Sequence, residues 1–144
     1  MQIETLKQPT DLQLDQLMAI WLAGNLAGHP FVKADYWRKQ VPAVRAALPT
    51  TRLLVATEAD TIIGFLGLQG NYIAGIFVAN TARKHGVGTA LLNAAKAQQP
   101  KLQLDVYIAN RSAVAFYHHS DFQVHAQTID KATNQPEYNM RWHR

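Results

Sequence analysis

The chain has 144 residues, with 14 lysines and arginines against 10 aspartates and glutamates, six histidines and no cysteine. That length suits one domain spanning 1–144, and 48% hydrophobic with 17% charged residues is the composition of a folded chain. The missing cysteine excludes disulfides, a thiolate nucleophile, iron–sulfur clusters and sulfur-bound zinc; no apolar run reaches membrane-helix length and Met1–Asp11 lacks a signal-peptide core, so a cytoplasmic protein is expected.

Gln2–Leu6 reads as a short strand. Thr10-Asp11-Leu12-Gln13 is a capping box, and Leu14, Leu17, Met18, Trp21 and Leu22 follow at helical spacing until Gly24–Gly28. A second helix is predicted from Ala34 to Leu48, where Pro42 implies a kink or a division into two shorter helices. From Arg52 the period changes to that of strands. Leu53–Thr57 and Ile62–Gln69 form a hairpin across Glu58-Ala59-Asp60-Thr61, and Gly70-Asn71 turns the chain into a third strand, Tyr72–Val78.

Val87, Ala90, Leu91, Ala94 and Ala97 then mark a helix that opens at Gly86 and stops before Pro100. Leu102–Ile108 is a strand, Ser112–His119 a short helix, Phe122–Ile129 a strand and Glu137–Trp142 a last strand. The expected fold is α/β: a mixed, mostly antiparallel central sheet of six to seven strands with about four flanking helices.

Charge is unevenly placed. Lys33, Arg38, Lys39, Arg45 and Arg52 face only Asp35 within residues 33–52, and no acid occurs between Asp60 and Asp105. The acid-free stretch holds Arg83-Lys84-His85-Gly86-Val87-Gly88, between a strand and a helix. A helix N-terminus offers unpaired N–H donors and partial positive charge, and glycines let the backbone approach a bulky anion; a pyrophosphate needs this combination. Neither G-x-x-x-x-G-K-[ST] nor G-x-G-x-x-G is present, so a P-loop nucleotidase and a dinucleotide-binding fold are excluded. No histidine or carboxylate spacing suggests a metal site.

Arg83-x-x-Gly86-x-Gly88 resembles the acyl-CoA pyrophosphate loop of the GNAT superfamily of N-acetyltransferases. Downstream, Asn110, Ala113, Phe116-Tyr117 and Phe122 resemble the same family in order and spacing, as does the upstream Ile63-Gly64-Phe65 strand. Two positions depart from it: Lys84 and Asp121 stand where the family often has glycine.

The resemblance implies an acetyl-CoA-dependent enzyme with no metal and a sheet splayed near its centre. Ile76, Phe77 and Val78 are the expected backbone contacts of the pantetheine arm, and Arg83, Lys84, His85, Gly86, Val87, Gly88 and Thr89 the pyrophosphate site. Asn110 and Ala113 complete the cofactor wall. The acetyl group passes directly to a primary amine of a small molecule or peptide in a ternary complex, because no cysteine relay exists. Tyr117 is the expected general acid toward the CoA thiolate.

The amine also needs a base, and Tyr72–Val78 holds no carboxylate. His29 ranks first, since His29-Pro30-Phe31 lies where this fold builds its acceptor pocket; His118, His119, Asp105 and Glu58 follow. His29, Phe31, Trp37 and Tyr72 form the expected acceptor pocket. Two rival readings compete: a non-catalytic acyl-CoA-binding protein of the same fold, and a nucleic-acid-associated basic module, which the pI of about 9.5 motivates and the lack of a binding motif weakens. No membrane partner is expected, and the resemblance admits a homodimer without marking its interface.

Overall fold

A short strand, β1 (Gln2–Leu6), leads into helix α1 (Asp11–Gly28) in the computed structural model, which describes residues 1–144. The capping box forms as predicted. Gln13 N donates to Thr10 Oγ1 (3.1 Å) and Thr10 N to Gln13 Oε1 (2.9 Å). Helix α2 (Ala34–Ala47) passes through Pro42 undivided, so of the two alternatives expected there the division into shorter helices does not occur. Pro42 sits on the exposed face, where water can satisfy the carbonyl its ring leaves unpaired.

Strands β2 (Arg52–Glu58), β3 (Thr61–Gln69) and β4 (Tyr72–Val78) meander antiparallel. The first turn holds both Ala59 and Asp60 at positive φ (50° and 67°), the geometry whose twist matches a tight hairpin. Helix α3 (Val87–Gln98), β5 (Lys101–Tyr107), α4 (Arg111–His119), β6 (Gln123–Asp130) and β7 (Gln135–His143) complete the chain. The seven strands lie in the order β1-β2-β3-β4-β5-β7-β6, so β7 is inserted between β5 and β6.

Every neighbouring pair is antiparallel except β4–β5, which runs parallel and shares one register pair, Tyr72 with Gln103. Gln103 N donates to Asn71 O there (2.9 Å), and beyond that point the two strands diverge. A bulge bends β4 at the same level. Gly67 faces Gly75 and Leu68 faces Ile73, leaving Ala74 as the extra residue.

Strand alternation sends apolar side chains to both faces. Leu54, Ala56, Leu66 and Leu68 join Leu91, Leu92, Tyr117, Phe122 and Met140 under α3 and α4. Leu53, Val55 and Phe65 join Leu17, Met18, Trp21 and Trp37 under α1 and α2. Burying each such side chain stabilises the fold by about 1.5–3 kcal/mol.

The basic run of residues 33–52 divides by contact. Arg45 pairs with Asp15 (2.6 Å) and Asp11 (3.9 Å), clamping α2 to α1, while Arg52 Nη1 donates to Gln98 Oε1 on α3 (3.1 Å). Arg38 lies 4.0 Å from Asp35. These side chains serve separate contacts.

Candidate active site

Where β4 and β5 part, a cleft of about 900 Å³ opens through the middle of the sheet. Its wall includes Ile76, Phe77, Val78, Arg83, Lys84, Gly86, Val87, Gly88, Thr89, Asn110, Ala113 and Tyr117, together with His29, Trp37 and Tyr72. His85 and Phe31, the other residues predicted for the site, do not line it. Phe31 packs behind, against the rings of His29 and Tyr107 (both 5.7 Å between centroids).

Register decides which backbone groups of β4 face the gap. Ala79 N donates to Ile63 O (2.8 Å), so the antiparallel ladder makes Phe77 and Phe65 the next hydrogen-bonded pair. The intervening residues, Ile76 and Val78, turn their N–H and C=O groups toward β5, which has already diverged. Of the three predicted backbone contacts, Phe77 is therefore corrected: its main chain is committed to β3. Its ring instead lies over Gly75, where an added Cβ would stand 2.5 Å from Phe77 Cε2, and stacks near Phe65 (5.2 Å).

The loop from Arg83 to Thr89 closes one end of the cleft. None of the N–H groups from Lys84 to Thr89 finds an acceptor within the chain. Gly86, at φ 80°, caps α3 with no side-chain bond and with open space around it. Lys84 is also left-handed (φ 64°), as is Asp121 (φ 71°), which explains physically why glycine suits both positions. This turn therefore presents six consecutive donors beside two basic side chains, a fit to a pyrophosphate.

Tyr117 reaches the cleft from α4, packed between Phe116 (5.3 Å) and Phe122 (5.8 Å). Phe122 N bonds back to Tyr117 O (3.0 Å), so Asp121 in glycine's place leaves this wall intact. Burial pushes the Tyr117 phenol above its ordinary value, and it stays protonated at neutral pH.

Asn110 caps α4, its Oδ1 accepting from Ala113 N (3.3 Å) and Ser112 Oγ (3.4 Å). That fixes its Nδ2 as the group facing His29 Nε2 at 3.3 Å. Nε2 must then be the acceptor, and the ring proton sits on Nδ1, which is buried without a partner. Burial holds the His29 pKa down to about 4. With its lone pair occupied and its charged form disfavoured, His29 does not suit the role of base. Of the other histidines considered, His118 and His119 lie outside the cleft, His119 Nδ1 bonding Ala115 O (2.7 Å). Glu58 also lies outside it.

Opposite β4 the cleft is acidic. Asp105, Asp130 and Glu137 all line it, and none pairs with a cation within 4 Å. Asp105 accepts from Tyr72 Oη (2.9 Å) and Asn139 Nδ2 (3.1 Å); Asp130 accepts from Tyr107 Oη (2.5 Å) and Ala132 N (3.0 Å). Burial first, and the bonded aspartates second, push both phenols up. Asp105 was among the residues considered from sequence, whereas Asp130 and Glu137 were missed. Their only sequence signal is alternation: Asp105 and Tyr107 share a face of β5, and Glu137 faces Tyr107 across to β7.

Comparison with known proteins agrees with this architecture. The family model of the acetyltransferase (GNAT) domain matches residues 22–142. The peptidyl-lysine N-acetyltransferase YiaC of Escherichia coli is 34% identical over 132 residues, covering 90% of each chain. The solution structure of apo YjaB from Escherichia coli superposes with a TM-score of 0.85 at 30% identity, covering 99% of this chain and 98% of that one. The PaiA N-acetyltransferase of Thermoplasma acidophilum, solved with coenzyme A, shares the fold (TM-score 0.78, 17% identity, all of both chains). The chain is an acetyltransferase and belongs to the GNAT superfamily.

Proposed function

We propose that the protein transfers the acetyl group of acetyl-CoA directly to the ε-amine of a lysine in a polypeptide. The observation that carries this reading is the composition of the single cleft. It joins six free N–H donors at Lys84–Thr89 to a carboxylate wall, Asp105, Asp130 and Glu137, that has no cation of its own. One end suits a pyrophosphate and the other an ammonium group, with the unpaired edge of β4 between them. YiaC and YjaB, which resemble the chain over most of its length, are named as peptidyl-lysine acetyltransferases.

Arg83 and Lys84 would hold the phosphates with the loop amides, and Ile76 and Val78 would bind the arm as an added strand does. The Val78 N–H, turned toward the gap, would stabilise charge developing on the thioester oxygen. Tyr117, kept protonated by burial, would give its proton to the departing sulfur. No cysteine is present to carry the acetyl group, so attack of the amine on the thioester within one complex is the economical route. The test is thiol release from acetyl-CoA with an N-terminally blocked, lysine-containing peptide. Release that depends on the lysine supports the reading, and release with free polyamines but never with peptides overturns it.

A further inference from the structure

Resting on that reading, we infer that Glu137 is the general base, taking the proton of the acceptor ammonium from its place on β7. The three carboxylates of the cleft differ in what they touch. Asp105 and Asp130 are each held by two donors, a tyrosine hydroxyl and one nitrogen. Those bonds occupy both oxygens of each carboxylate and hold the two groups in place. Glu137 accepts no hydrogen bond from the chain and has no ion-pair partner, and it faces Tyr107 across the β5–β7 ladder. Two hydrogen-bonded carboxylates beside a third with no partner leave Glu137 as the one whose oxygens are free to take a proton.

The groups around Glu137 support the assignment from every side. Asp105 and Tyr107 come from β5, Asp130 from β6 and Tyr72 from β4. Arg141, farther along the same strand, is turned onto Asn139 Oδ1 (2.9 Å), and Lys131 is exposed in the β6–β7 turn. Burial first, then Asp105 and Asp130, raise the Glu137 carboxyl above its ordinary value.

The step balances with groups already named. Glu137 takes one proton from the ammonium and later releases it to solvent. The freed nitrogen bonds the acetyl carbon as the carbon–sulfur bond breaks, and the electron pair leaves on sulfur. Tyr117 protonates that sulfur, and the second proton lost from nitrogen as the amide forms restores the phenol through solvent.

The experiment is a pH series from 6 to 10 of kcat and KM on the blocked lysine peptide, for the wild type, Glu137→Gln and Asp105→Asn. Glu137→Gln is expected to lower kcat/KM about 100-fold at pH 7 with an unchanged KM for acetyl-CoA. The deficit should shrink toward pH 10, where lysine, with an unperturbed pKa near 10.4, deprotonates unaided. Thermal melts should show Glu137→Gln folded, since the side chain bonds nothing in the chain. Activity within threefold of wild type, or a loss equal at every pH, overturns the assignment. So does a pH-dependent loss in Asp105→Asn that Glu137→Gln lacks. Failure of the wild type on every lysine peptide would instead refute the acceptor reading.

Discussion

Asn110 Nδ2 donates to His29 Nε2 across 3.3 Å, joining the cap of α4 to the end of α1 at the wall of the cleft. The bond sets the ring's tautomer, and burial holds its pKa down to about 4, against 6.5 for the free side chain. The unfolded chain therefore binds a proton that the folded chain refuses between these values. Stability from this group is complete above pH 6.5 and is lost as pH falls toward 4. Thermal melts across pH 4–7 should show a steeper decline for the wild type than for His29→Phe, which keeps an aromatic ring against Trp37 and cannot titrate. Equal slopes would contradict the neutral-ring assignment.

Tyr117→Phe separates chemistry from packing. The ring stays between Phe116 and Phe122, so the fold and acetyl-CoA binding should be retained while kcat drops about 100-fold or more. Because burial pushes the phenol up, the wild type should show no alkaline loss from Tyr117 below pH 10. Calorimetry with acetyl-CoA and steady-state rates on the same preparation check both halves.

Gly86→Ala probes the loop through its backbone alone. An added methyl meets nothing within 4 Å, but φ 80° is left-handed and costs an alanine about 1–2 kcal/mol. The expected result is a Tm lower by roughly 2–5 °C and weaker acetyl-CoA binding as the donors lose alignment. Gly70→Ala, at φ 61° in the distant β3–β4 turn, should lower Tm similarly and leave binding unchanged.

Asp121→Gly should act in the opposite direction. Asp121 holds φ 71° just before Phe122, so glycine there relieves up to about 1 kcal/mol of backbone strain. A Tm higher by a few degrees with unchanged kcat is expected; a lower Tm would show that the aspartate side chain supplies a compensating contact.

The elements were legible in the sequence because their signals are local. Thr10 and Gln13 announce α1, Gly70-Asn71 opens β4 at Tyr72, and Gly86 marks the start of α3. The loop and Tyr117 were legible by resemblance, through spacing. The acidic wall was not, because it depends on sheet order. Asp105 and Glu137 lie 32 positions apart and meet only because β7 inserts between β5 and β6, a placement that no local pattern encodes. His29 misled for a similar reason: its position between two helices was readable, but the bond from Asn110 that occupies its lone pair was not.

The lone Tyr72–Gln103 pair makes the seven strands two sheets in all but name, one of four strands and one of three, meeting at a single rung. Amide hydrogen exchange should register this division as two blocks of protection with different opening free energies. Ile76 and Val78, whose N–H groups face the gap, would exchange fastest among the inner residues of β4. A bound pantetheine arm bridging that edge should slow those two amides and draw the blocks toward one cooperative unit, so the acyl donor would act on the folding of the protein as well as on its chemistry.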